Sequence, residues 1–143
     1  DATMEEIRHA AGIAQIGDFI DGLEDGYHTR VAQGGNNFSG GQKQRLAIAR
    51  ALVKKPEIYI FDDSFSALDF KTDARLRAAL KEETTHSAVI LVAQRISTIM
   101  DADQIVVLDE GRVAGIGTHK ELMESCTVYQ QIARSQLSEE ELA

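Results

Sequence analysis

Residues 38–52 read FSGGQKQRLAIARAL, and this run joins a helix start suited to an anion with a long amphipathic helix. Ser39 is a good N-cap, and Gln42, three residues later, completes a capping box. Gly40 and Gly41 follow the cap and carry no side chain that would block a ligand from their amides. Because those amides sit at the positive end of the helix dipole, the run predicts a phosphate-binding site at the helix start.

Behind the cap, the run has the spacing of a helix with one apolar face. The apolar positions are Leu46, Ile48, Ala49 and Leu52, and the positions expected to stay polar are Lys43, Arg45 and Arg50. The cap by itself fits an ordinary capped surface helix equally well. The whole run, however, closely resembles the signature motif of ATP-binding cassette (ABC) proteins, usually written LSGGQ, with Phe38 in place of the usual leucine.

A short apolar strand followed by two carboxylates comes next. Ile58-Tyr59-Ile60-Phe61 predicts a buried strand, and Asp62 and Asp63 follow it. An acidic pair in this place is also typical of a helix N-cap in a strand-to-helix loop. The order of the motifs resembles the Walker B element of ABC proteins, in which the first carboxylate, here Asp62, would hold Mg²⁺. Ser66-Ala67-Leu68-Asp69 resembles the D-loop of that family, and this resemblance places Asp69 among the ATP-binding residues.

The resemblance implies an α/β fold, namely part of the P-loop NTPase (ABC ATPase) fold. Strand, helix and strand at this spacing also predict a parallel sheet with flanking helices. No G-x-x-x-x-G-K-[S/T] phosphate loop occurs in the sequence, so the Walker A half of that fold is missing, and we expect the chain alone to be inactive as an ATPase. In family terms, residues 1–55 are part of the helical subdomain, 56–137 the C-terminal part of the RecA-like core, and 138–143 an acidic tail.

The sequence pattern predicts the following elements. Helices are expected over 4–15, from the Ser39 cap to the Lys55-Pro56 pair, and over 70–83, 97–101, 118–124 and 128–137, and strands over 57–62, 87–93, 104–109 and 112–116. Residues 87–93 are expected to form a second buried strand. Glu110-Gly111 joins the last two strands and is typical of a hairpin. Residues 22–37 are polar and glycine-rich, which predicts a loop.

Two positions depart from the ABC pattern, and both are assigned to catalysis. Where the family usually has a histidine after the second strand, this chain has Gln94, whose amide can donate a hydrogen bond but cannot gain charge. Where the family usually has a glutamate that polarises the attacking water, this chain has Asp63, which is one methylene shorter. A displacement of about 1 Å can cost on the order of 100-fold in rate. Together these changes predict a site that binds ATP and Mg²⁺ but hydrolyses ATP poorly.

The signature run, by contrast, carries the family pattern. In ABC proteins two such domains dimerise head to tail, and each signature motif caps the ATP that its partner holds. Residues 38–42 would therefore serve a different site from Asp62, Asp63 and Gln94. One intact and one degenerate half-site resemble one subunit of a bacterial heterodimeric multidrug-type exporter. The implied partners are a second, different nucleotide-binding domain and the transmembrane domain, which the X-loop-like segment Val31-Ala32-Gln33-Gly34-Gly35 would contact.

Composition narrows the class of protein. The chain has 143 residues, 43% of them hydrophobic, which suffices for one core. Its formal net charge of −8 argues against nonspecific nucleic-acid binding. The lone Cys126 cannot form an internal disulfide, which favours a reducing compartment, and no apolar run approaches the roughly 20 residues that span a bilayer. The expected location is the cytoplasmic face of the cell membrane, within an integral membrane transporter, with this portion itself soluble.

Two other functions stay open at this stage. One is a non-transport ABC module that acts in chromosome maintenance or translation. The other is an ordinary active ATPase that tolerates Asp63 and Gln94. The four histidines have no partners at metal-ligand spacing, so a histidine metal site is not expected. Because a sheet without its first strands exposes an edge, we also expect the isolated chain to self-associate.

Overall fold

The computed structural model describes residues 1–137, and within them seven α-helices and four β-strands. The helices are α1 (Met4–Ile13), α2 (Gly17–Asp21), α3 (Gly40–Val53), α4 (Phe70–Glu83), α5 (Ile96–Ile99), α6 (His119–Ser125) and α7 (Thr127–Gln136). The strands are β1 (Ile58–Asp62), β2 (Ala88–Val92), β3 (Ile105–Asp109) and β4 (Arg112–Gly117). The chain forms two compact units, residues 1–92 and the part from residue 93 onward. The acidic tail expected at 138–143 lies outside the described residues, and the division expected at residue 55 stays a prediction.

The first unit confirms the predicted parallel sheet. β1 and β2 pair in parallel, with Ile58 opposite Ala88 and Asp62 opposite Val92. Helix α4 connects the two strands, as a parallel crossover requires. In the core of the first unit, the apolar sides of the helices pack against one face of the sheet. The most buried residues of this core include Ala11, Ala14, Ile16, Ile48, Leu52, Phe61 and Leu76.

The two strands of this sheet are less buried than the sequence indicates. In β1, Tyr59 and Phe61 are 4% and 3% exposed, whereas Ile58 and Ile60 are 58% and 67% exposed. In β2, Ile90 is half exposed at 50%. An apolar run predicts a strand covered on both faces, but in this unit the core lies against the Tyr59 face alone. The prediction of fully buried strands was therefore wrong for both.

Several predicted boundaries shift for a backbone reason. Helix α1 ends at Ile13, two residues early, because Gln15 has a φ of 58°. Helix α3 ends at Val53 for the same reason, since Lys55 has a φ of 45°. Positive φ is incompatible with continuing a right-handed helix. The predicted loop at 22–37 contains two short 3₁₀-helices, Gly26–His28 and Gln33–Gly35.

The second unit is a hairpin packed on two helices. β3 and β4 pair antiparallel, and Glu110 and Gly111 have φ values of 46° and 75°, which is the geometry of a type I′ turn. Helix α6 packs so closely on β4 that a Cβ at Gly115 would lie 2.9 Å from Leu122 Cδ2. Tyr129 is buried, and its hydroxyl lies 2.7 Å from His119 Nδ1, which gives this histidine a structural contact.

Candidate functional site

The first turn of α3 presents main-chain donors to an incoming group. The Ser39 hydroxyl accepts from the Gln42 amide at 3.2 Å, and the Gln42 side-chain carbonyl accepts from the Ser39 amide at 2.8 Å. This capping box confirms the predicted helix start. It uses the amides of Ser39 and Gln42 and leaves those of Gly40 and Gly41, which have no acceptor within the helix. We call residues 38–44 the signature start.

The signature start packs against the loop that follows β1. This loop, residues 62–69, is called the acidic loop below. A Cβ at Gly41 would lie 2.9 Å from the carbonyl oxygen of Ala67, closer than real Cβ atoms come. At Gly40 the nearest atom would be Ala67 Cβ at 3.5 Å, an ordinary contact. The sequence analysis explained both glycines by the space that they leave for a ligand. In the structure, Gly41 also allows the signature start to pack closely against the acidic loop.

Asp62 and Asp63 lie at the end of β1 with their side chains exposed to solvent. Asp63 has a φ of 48°, in the left-handed region that few residues other than glycine adopt. Its amide donates to the Val92 carbonyl at 2.8 Å, so the chain turns immediately after its last contact with β2. The left-handed turn ends the strand and starts the acidic loop.

Gln44 is a functional candidate that the sequence reasoning missed. Its side-chain amide nitrogen donates to the carbonyl of Asp63 and to the hydroxyl of Ser66, both at 3.0 Å. Its side-chain oxygen accepts from the amide of Ala67 at 2.9 Å. One side chain on α3 thus holds three points of the acidic loop. Its position, one helical turn after Gly41 and hence on the same side of α3, was a signal that the sequence did contain.

Asp69, expected to bind ATP, caps helix α4. Its carboxylate accepts from the Thr72 amide at 3.0 Å and from the Thr72 hydroxyl at 2.7 Å. These bonds, the backbone one first, hold the pKa of Asp69 below its usual value. The N-cap alternative was raised for the Asp62-Asp63 pair, but the acid of this loop that caps a helix is Asp69. A role for Asp69 in ATP binding stays a prediction.

Phe38 and the segment before it are organised by contacts within the chain. The Phe38 ring packs edge-on against Phe19, with centroids 6.0 Å apart. The Asn37 side chain accepts from the Ala32 amide and donates to the Arg30 carbonyl, both at 3.1 Å. The segment that resembles an X-loop is therefore tied to Asn37, the residue directly before the signature start, while its Val31 side chain is 61% exposed.

Two basic side chains of α3 also bind the main chain of the first unit. The Lys43 ammonium donates to the Gly34 carbonyl at 3.2 Å. Arg45 was expected to stay on the polar face, but it is partly buried, because its guanidinium donates to the carbonyls of Gln15 and Gly41. The guanidinium therefore joins the end of α1 to the signature start.

Gln94 lies in the second unit, with its side chain exposed. Its main-chain carbonyl accepts from the Gln136 side chain at 2.8 Å, and the other end of the same Gln136 amide accepts from the Ile96 amide at 2.9 Å. Helix α7 thus fixes the loop on both sides of Arg95. Gln136 is a second residue that the sequence reasoning missed, and no local motif marks it.

The donor set fits Mg²⁺ bound together with a nucleotide. Asp62 offers an exposed hard oxygen ligand, which suits an ion that takes one or two carboxylates and completes its shell with phosphate oxygens and water. Among residues 1–137, no three histidine, cysteine or acidic side chains come together as a self-sufficient metal site. No helix in that part of the chain is long and apolar enough to cross a membrane.

Comparison with known proteins places these motifs in context. The family model described as ABC transporter matches residues 2–66. An uncharacterized ABC transporter ATP-binding protein of Mycobacterium tuberculosis is 49% identical over 94% of this chain and 23% of its own length. One from Bacillus subtilis is 46% identical over 98% of this chain and 24% of its own length. A multidrug ABC transporter of Trichophyton tonsurans is 45% identical over 90% of this chain and 10% of its own length.

A solved structure of an ABC exporter is also similar to this chain. It is that of a bacterial Atm1-family ABC exporter with ATP bound, which is similar to this chain with a TM-score of 0.92 and 42% sequence identity. The match covers 97% of this chain and 24% of that exporter chain. The chain therefore spans about a quarter or less of the length of these relatives and of this exporter chain.

Proposed function

Because the chain belongs to the ABC transporter family, as part of an ATP-binding domain, we propose that it binds Mg²⁺-ATP and that dimerisation of two such domains drives export. The observation that carries this proposal is the signature start. Its capping box leaves two glycine amides for phosphate, and Gly41 and Gln44 hold it against the acidic loop. An anion is favoured there by the amides and by the helix dipole.

The two segments have different roles in this proposal. Residues 38–42 donate main-chain and side-chain hydrogen bonds to an ATP molecule held by a partner domain. Asp62 supplies a carboxylate to the Mg²⁺ of the ATP held on this chain's own side. Mg²⁺, when bound, would offset the negative charge of the phosphates. The exposure of the Asp62 side chain and the amides of the signature start support this division.

The chain's own site is proposed to hydrolyse ATP poorly. Asp63 is one methylene shorter than the glutamate usual in the family, and its main chain is held in the left-handed region, so its carboxylate cannot simply shift outward. Gln94 cannot take up a proton as a histidine does. Asp63 and Gln94 thus support the proposal that this chain is one subunit of a heterodimer. The other subunit, a different chain, would carry the residues that hydrolyse ATP efficiently.

The proposal also includes the partners and the cellular location of this domain. The transmembrane domain of the transporter is the second partner, with the segment 31–35 as its contact, and the domain works at the cytoplasmic face of the membrane. Relatives described as transporters support export over a non-transport ABC module. No nucleic acid is proposed as a partner, since the net charge is −8.

The test is ATP turnover by the full-length transporter that contains this chain, with Asp63→Glu and Gln94→His introduced together. We expect turnover to rise by about tenfold or more if these residues limit this site. The matched control is Asp103→Glu with Gln104→His, which makes the same chemical changes at two exposed positions. Unchanged turnover in the double variant would contradict the proposed degenerate site. A wild-type transporter that does not bind Mg²⁺-ATP would contradict the function itself.

A further inference from the structure

Gln44 joins two segments that the proposed function assigns to different ATP molecules. It lies on α3, three residues after Gly41, and its side chain reaches the acidic loop rather than solvent. Its contacts are to the main chain of Asp63 and Ala67 and to the hydroxyl of Ser66. The function proposed above uses this residue only to hold the signature start against the acidic loop, and gives it no part in linking the two ATP sites.

The contact needs a side chain that both donates and accepts. The amide nitrogen of Gln44 satisfies the Asp63 carbonyl, and the amide oxygen satisfies the Ala67 N–H. A glutamate could only accept, and a lysine could only donate, so neither can replace both ends of this amide. Ser66 adds a second link, because its hydroxyl also donates to the Asp63 carbonyl at 3.2 Å.

The residue held in this way has an unusual backbone. Asp63 has a φ of 48°, and such conformations persist where the surroundings over-determine them. Two side-chain groups, from Gln44 and Ser66, converge on its carbonyl, and the Val92 carbonyl accepts from its amide. The direction of the Asp63 carboxylate is therefore set in part by a residue on the signature helix.

We propose that Gln44 is a positioning residue that couples the signature start to the acidic loop, so that the geometry of one ATP site depends on that of the other. The close approach of Gly41 to Ala67 is a second contact between the same two segments. A shift of α3 that follows ATP binding at residues 38–42 would pull on Asp63 through the Gln44 amide. This inference rests on the proposed function, since it needs ATP at both segments.

The first test replaces Gln44 in the full-length transporter by methionine, which keeps the length of the side chain and removes both hydrogen-bonding groups. For Gln44→Met we expect kcat for ATP to fall by about tenfold or more, because the signature start that serves the partner's productive site loses its link to the acidic loop. KM should change by less than about threefold. The unfolding temperature should change by less than about 3 °C. The matched control is Gln130→Met, which removes a glutamine that donates to the Met123 carbonyl at 2.8 Å in the second unit.

A second variant keeps the test decisive if Gln44→Met does not fold. Gln44→Glu keeps an acceptor for the Ala67 amide and loses the donor to Asp63, so it should fold and still lose about tenfold or more in kcat. A kcat within about twofold of wild type in either folded variant would overturn the inference. So would a fall in kcat that the Gln130→Met control matches, because the effect would then be structural.

Hydrogen exchange separates this inference from the proposed function. In Gln44→Met, the Ala67 amide should exchange about tenfold faster or more, while amides in the middle of α3 keep their protection. This readout needs no ATP turnover. If the wild-type transporter does not bind ATP, the proposed function fails while the exchange result still decides whether Gln44 holds the loop. Unchanged exchange at Ala67 would overturn the proposed contact.

Discussion

Gly40 and Gly41 are adjacent and chemically identical, yet their surroundings differ in whether they leave space for a larger side chain. A methyl group at Gly41 would meet the Ala67 carbonyl oxygen at 2.9 Å, and that oxygen belongs to the main chain and cannot rotate away. At Gly40 the same group would make an ordinary contact of 3.5 Å with a side-chain carbon. At the scale of single residues, therefore, only one of the two glycines is required by packing.

The comparison of Gly41→Ala with Gly40→Ala tests this difference. Both changes gain helix propensity, by about 1 kcal/mol at most. Gly41→Ala should in addition cost about 1–3 kcal/mol, because α3 must move away from the acidic loop. The free energy of unfolding of the 143-residue chain, measured with urea, should thus be lower for Gly41→Ala than for Gly40→Ala. Equal values would mean that the close approach to Ala67 does not constrain the helix.

At the scale of secondary-structure elements, the most regular feature of the chain is the side-chain capping of its helix starts. Helices α1, α3 and α6 each begin with a capping box, formed by Thr3 with Glu6, Ser39 with Gln42, and Thr118 with Glu121. Helix α4 begins at the Asp69 cap. Each cap satisfies amides that no helical carbonyl can reach. The sequence pattern S/T-x-x-E/Q marks all three boxes, although the sequence analysis used it only for the one at Ser39.

The acidic caps predict how stability depends on pH. Hydrogen bonds from Thr3, followed by those from Lys55, lower the pKa of Glu6 from 4.5 to about 2. Hydrogen bonds from Thr72 and Thr118 lower the pKa values of Asp69 and Glu121. A lowered folded-state pKa means that stabilisation is complete above the unfolded-state value and is lost as the pH falls through the folded-state value. The effect of each group should be small, because the carboxyl groups of Asp69 and Glu121 are exposed and that of Glu6 is partly exposed to solvent.

We therefore expect the urea midpoint of the 143-residue chain to fall between about pH 5 and pH 2. In Glu6→Gln the side chain still caps α1 but no longer titrates, so this variant should lose less stability across that range than wild type does. Glu5→Gln is the matched control, since Glu5 is the neighbouring first-turn acid and forms no part of the box. Parallel midpoint curves for wild type and Glu6→Gln would contradict the assignment.

At the scale of the whole molecule, each unit carries an apolar surface that the residues described by the structure, 1–137, leave uncovered. In the first unit Ile58, Ile60 and Ile90 lie on one face of the sheet and are at least half exposed. In the second unit Leu108 and Val113, which pair across the hairpin, are 66% and 57% exposed. Contiguous apolar surfaces of this kind mark places where another part of a protein or another chain binds.

The isolated 143-residue chain should consequently self-associate. We expect light scattering to give dimers or larger species, with the fraction of monomer rising in Ile60→Lys with Ile90→Lys, because a charge on the sheet face opposes association. Val31→Lys is the control, since Val31 is equally exposed but lies in a loop. A monomeric wild-type chain would contradict this expectation.

The sequence by itself determined the local structure. The starts of the capped helices α1, α3, α4 and α6, the strand-to-acid order and the Glu110-Gly111 turn depend on neighbours within four residues, and these were predicted closely. The short helix α2, which has no side-chain cap, was not predicted. Fold class and family also followed from the sequence, because the signature run and the acidic pair occur at a fixed spacing. Ser39, Gln42 and Asp62 were recognisable as candidates on that basis, since each belongs to a local motif.

The tertiary structure decided what depends on distant partners. Gln44 reaches residues about twenty positions away, and Gln136 holds a loop some forty positions earlier. The exposure of the strand faces could not be predicted from the sequence either. An apolar run shows that its residues favour burial, but it does not show which element covers them. Glutamine is an ordinary helix residue by propensity. Only the approach of α3 to the acidic loop, permitted by Gly41, makes Gln44 a contact between two motifs.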